Sequence, residues 1–70
     1  MIYQITYKYE EKGAIKSVPV ANLDLALKLA ARDSESRVRR PDSLIVKSRN
    51  SISYYNYIQI IKLCKKYGYL

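Results

Sequence analysis

Three arginines crowd one short stretch, Arg37-Val38-Arg39-Arg40. Guanidinium forks match the oxygens of a phosphate, so the cluster points toward an anionic ligand. Lys47 and Arg49 follow on the next segment, and Lys62 and Lys66 share a helical spacing with Tyr55 and Gln59. A ring flanked by lysines suits stacking on a base or packing against an acidic protein surface. Arg37, Arg39, Arg40, Lys47, Arg49, Tyr55, Lys62 and Lys66 are therefore the candidate nucleic-acid contacts. The plainer alternatives are a solvated loop, partly neutralised by Glu35 and Asp42, and an ordinary wet helix face on which lysine methylenes cover the ring.

Catalytic arrangements find little support. The chain has no histidine and one cysteine, Cys64, which excludes Ser-His and Cys-His nucleophilic schemes. Gly13 and Gly68 are the only glycines, so there is no phosphate-cradling glycine loop. Pro41-Asp42 followed by Lys47 echoes a metal-dependent nuclease arrangement, but that pattern needs an acid where this chain has Ile45. No zinc set is possible without a second thiol or an imidazole, and no cofactor is implied. Cys64 lies at helical spacing with Tyr57, Ile60, Ile61 and Tyr67 and reads as a small buried hydrophobe. The expectation is a binding protein, not an enzyme.

Charge says where the partner sits. Residues 1–36 carry equal numbers of acidic and basic side chains, whereas residues 37–70 carry all of the net +7, with Asp42 as their one acid. Such asymmetry favours a polyanion or an acidic protein surface. Seventy residues, about half of them hydrophobic, make one domain over 1–70 with marginal stability. A lone cysteine rules out an intrachain disulfide and suits a reducing, cytoplasmic setting. Homodimerisation is a common remedy for so small a core. No stretch approaches a membrane span, and no basic region followed by an apolar run opens the chain as a secretory signal would.

The elements that must position these groups are legible from periodicity. Ile2 to Tyr9 alternates, with Tyr3, Ile5, Tyr7 and Tyr9 on one face and Gln4, Thr6 and Lys8 on the other, as in a half-buried strand. Glu10 to Gly13 is a turn, and Ala14 to Val20 returns through a two- or four-residue loop. Either loop adds Val18 and Val20 to the tyrosine face. Asn22 caps a helix over 22–33 with Asp24 in its first turn. Leu23, Ala26, Leu27, Ala30 and Ala31 form one apolar face of that helix. Leu25 and Leu29 form a second, which meets either the other helix or a second subunit. Ser34 to Asp42 reads as a polar connector, Leu44 to Arg49 as a third strand, and a final helix runs from a Ser51 or Ser53 cap to about Tyr67. Its core side is expected to hold Tyr54, Tyr57, Ile58, Ile61 and Cys64, with Gly68 just past its end.

The fold class expected is thus α+β, a small two-layer sandwich in β-β-α-β-α order. A three-stranded mixed sheet carries both helices on one face. The third strand lies beside either the first or the second, through a right-handed crossover. The outward sheet face is expected to be polar and basic, without the exposed rings on which RNA-binding sheets stack bases. The function expected is a non-catalytic basic module holding DNA or RNA through phosphates. The alternative is a small inhibitor or adaptor of the kind compact phage and mobile-element genes encode. It would bind an acidic or nucleic-acid-binding surface of a host protein, with Leu25 and Leu29 as the interface or the Tyr55–Leu63 side as the anchor. No motif is specific enough to name a family.

Overall fold

A computed structural model describes residues 2–70. Six elements follow one another: β1 (Ile2–Glu11), β2 (Ala14–Val20), α1 (Leu23–Ser34), β3 (Arg39–Ser48), β4 (Ile52–Asn56) and α2 (Tyr57–Lys66). The sheet has four strands in the order β2-β1-β3-β4, and every neighbouring pair is antiparallel. This corrects the three-stranded mixed sheet expected from sequence, while the two-layer α+β plan stands.

The first hairpin closes through Lys12 and Gly13, both at positive φ (55° and 82°), the two-residue geometry whose twist suits antiparallel strands. Gly13 adopts that conformation without steric cost. Tyr7 pairs with Val18 and Ile5 with Val20, so the tyrosine face and the valine face coincide as the alternation requires. β3 lies against the other side of β1, Leu44 opposite Tyr7 and Val46 opposite Ile5. Both helices cover this face. Ile5, Tyr7 and Leu44 from the sheet form one buried core with Ala26, Leu27, Ala30 and Ala31 of α1 and Ile60 and Cys64 of α2. The Cys64 thiol donates to the Leu27 carbonyl at 3.4 Å, which joins the two helices.

Three further expectations are corrected. β3 begins at Arg39, inside the stretch read as a connector, because Pro41 sits at a register irregularity between Lys8 and Tyr9, where a missing N–H is tolerated. Residues 52–56 form a strand, not the start of the last helix. A capping box starts α2 instead: the Gln59 N–H donates to Asn56 Oδ1, and the Asn56 N–H donates to Gln59 Oε1, both at 2.9 Å. This turns the helix so that Ile60 is buried and Ile58 exposed. Tyr3, expected on the core face, is 61% exposed. A second irregularity, between Ile2 and Gln4, leaves it without a cross-strand partner. The end of α2 is as expected. Gly68 (φ 81°) donates to the Lys65 carbonyl and Tyr69 to the Cys64 carbonyl, the paired bonds of a Schellman motif.

Candidate nucleic-acid interface

Among the described residues no helix packs on the sheet face opposite the core, where Tyr54, Ile52 and Lys47 are exposed, Thr6, Lys8 and Ile45 half-buried, and Ser43 buried. Its register builds rows across the strands. Pro19, Thr6, Ile45 and Tyr54 form one row through all four strands. On one side of it lie Gln4, Lys47 and Ile52, and on the other Ser17, Lys8, Ser43 and Asn56. Adjacent same-face rows are about 7 Å apart, two strand residues. The central row, with Ile45 and Tyr54, is thus bordered on each side by a row that carries one lysine, Lys47 or Lys8. Tyr54 is 60% exposed and Ile52 is 69% exposed, both on the edge strand β4.

Tyr54 was expected inside the core and Tyr55 on a wet helix face. The short strand β4 exchanges these roles. Tyr55 pairs with Leu44 and packs against the core, whereas Tyr54 pairs with Ile45 on the outward face. Lys8 is on the outward face that the alternation of β1 gives it, whereas Tyr54 and Ile52 are the site residues that periodicity missed. The signal that finds them is Asn56-x-x-Gln59, which starts the helix at Tyr57 and frees the β-branched and aromatic run before it to be a strand.

The arginine cluster divides. Arg37 is exposed ahead of β3, and Arg40 is exposed with its guanidinium carbon 5.1 Å from the Tyr57 ring centroid. Arg39 turns the other way. Its guanidinium lies 3.8 Å from the centroid of Tyr9, and its Nε is 3.5 Å from Glu11 and 3.8 Å from the buried Asp33. Asp33 in turn accepts from the Tyr7 hydroxyl at 2.8 Å and from Arg32 Nε at 3.2 Å. Burial and the bond to Asp33 push the Tyr7 hydroxyl far above its ordinary range. Glu11 also accepts from Lys16 at 2.9 Å, and that bond holds its carboxyl below the usual range. Arg39 therefore ties β1, α1 and β3 together. It shares with Arg37, Arg40 and Lys12 the wall of a polar pocket of about 300 Å³, which Glu10 and Asp33 also line.

The remaining sequence-level candidates sit apart. Arg49 is in the turn between β3 and β4, at the far end of β3 from Arg40. Lys62 and Lys66 border a shallow groove of about 250 Å³ with Tyr55, Gln59 and Leu63. The row at helical spacing thus survives as a neighbourhood, although Tyr55 reaches it from a strand. Leu25 is 41% exposed, while Leu29 packs partly into the core. Cys64 is buried, and burial pushes its thiol upward, away from reactivity.

Charge pairing separates the cations. Among the described residues only Lys16, Lys28, Arg32 and Arg39 approach a carboxylate within 4.0 Å. Lys8, Arg37, Arg40 and Lys47 have no such partner. No helix of the described residues is long and apolar enough to cross a membrane. No family model, curated protein or solved structure matches the chain.

Proposed function

We propose that this chain is a non-catalytic module that holds nucleic acid through its phosphates. The observation that carries the reading is the set of cations with no carboxylate within 4.0 Å among the described residues, Lys8 and Lys47 on the outward sheet face and Arg37 and Arg40 on the wall of the polar pocket. A carboxylate partner would have satisfied these groups inside the molecule. Without one, they favour polyanion binding by releasing the ions condensed on it. Arg39 belongs to the fold and drops out of the contact set. Arg49, Lys62 and Lys66 contribute to the general field.

A protein partner seated on the anchors read from sequence has less to stand on: Leu29, Tyr55 and Leu63 all pack partly into the core, and of these four residues Leu25 alone is exposed.

Fluorescence anisotropy with labelled oligonucleotides tests the reading. Three or four phosphate contacts make affinity fall between about 50 and 200 mM salt by roughly 20- to 50-fold on a single strand and roughly 40- to 150-fold on a duplex. Lys47→Glu and Arg40→Glu each weaken binding and lower the salt slope by about one. Absence of binding to any oligonucleotide at the low-salt end refutes the reading.

A further inference from the structure

We infer that the ligand is single-stranded and lies across the outward sheet face, with a base stacked on Tyr54. The inference rests on the reading of the chain as a nucleic-acid binder and adds the strand type and the contact.

Three features of the face carry it. Tyr54 and Ile52 are both more than half exposed, so no other described element covers them. A duplex keeps its bases stacked on one another and would set only sugar and phosphate against these side chains. An unpaired base has a free π-face for the tyrosine ring. The charge pattern fits the same ligand. Lys47 and Lys8 border the Thr6–Ile45–Tyr54 row, each about 7 Å from it along its strand, so a backbone can follow either side of a stacked base. The nearest acids by register are Glu10 and Asp42, beyond Lys8 at one end, and no acid lies in the three rows. Finally, Tyr54 is on the edge strand, where a flexible strand can run on past the sheet.

The test is anisotropy with a labelled 12-nucleotide single strand and with the duplex of the same sequence, on wild type and on Tyr54→Ala, Tyr54→Phe and Lys47→Glu. Tyr54 is exposed, so its variants keep the fold, which circular dichroism verifies. The wild type is expected to prefer the single strand. Loss of one base–aromatic stack in Tyr54→Ala costs about tenfold on the single strand, with the salt slope unchanged, and Tyr54→Phe retains binding. Lys47→Glu weakens both ligands and lowers the slope. Wild-type binding with Tyr54→Ala within about twofold of it, or with the duplex preferred, overturns this inference and leaves the phosphate-binding reading standing. No wild-type binding at all removes both. A wild-type dimer in sedimentation that Tyr54→Ala converts to monomer shows that a second copy occupies the face, and likewise overturns it.

Discussion

A carboxylate with 2% of its surface exposed needs donors, and Asp33 draws them from Tyr7 and Arg32, with Arg39 nearby. Tyr7→Phe deletes one donor while the ring still fills its place, an expected loss of about 1–2 kcal/mol at pH 7, read from urea midpoints. The pH dependence follows from the hydroxyl's raised pKa. An unfolded tyrosine releases its proton near pH 10, whereas folded Tyr7 keeps it. The stabilisation is therefore complete below about pH 10 and is lost above it, at up to about 1.4 kcal/mol per pH unit. The gap between wild type and Tyr7→Phe should narrow between pH 10 and 11, and a constant gap would sink the account. Cys64 is expected to react with thiol reagents only as fast as the protein opens. The alternation of β1 made Tyr7 legible as a core residue in the sequence. Its partner was not, because 26 residues separate Tyr7 from Asp33 and only the crossover of α1 brings them together.

Element boundaries decide the site, and the one that matters most is the step from β4 to α2. Serines at 51 and 53 are good caps and drew the expected start of the helix forward, but Asn56 with Gln59 forms the reciprocal pair that fixes it. Asn56→Ala is expected to cost about 1 kcal/mol by thermal or urea unfolding. It should also disturb the Tyr54 face, because the same residue ends the strand that presents it. Other elements were legible because their signals are local. Examples are the period-2 run of β1, the Asn22 cap, whose side chain accepts from the Leu25 N–H at 2.8 Å, and the Gly68 terminus of α2. The start of β3 was not, because Pro41 speaks against a central strand unless it falls at a bulge, and a bulge depends on the partner strand.

At the scale of the whole molecule, +7 on 70 residues is a self-repulsion that the fold relieves only in part. Where it is relieved, the cation belongs to the structure; where it is not, the cation is free for a ligand. The asymmetry of the two chain halves was visible in the sequence, but this sorting was not, since it depends on which carboxylates the sheet and α1 bring near. Arg39 and Arg40 sort to opposite sides although they are adjacent, so they test the division directly. Arg39→Glu puts a carboxylate beside Glu11 and the buried Asp33 and removes the cation over Tyr9. Its side chain is 30% exposed, so the loss falls below the ~3–5 kcal/mol of a fully buried pair, at about 1–3 kcal/mol. Arg40→Gln removes one of the repelling charges from a surface position without setting a second acid opposite Glu10, its partner on β1, and surface substitutions usually stay within about 0.5 kcal/mol. Its stability is expected to hold or rise slightly at low salt, while its affinity for oligonucleotides falls. Equal unfolding midpoints for the two variants, with equal loss of binding, would mean that the internal contacts of Arg39 carry no stability and that both arginines serve the ligand alike.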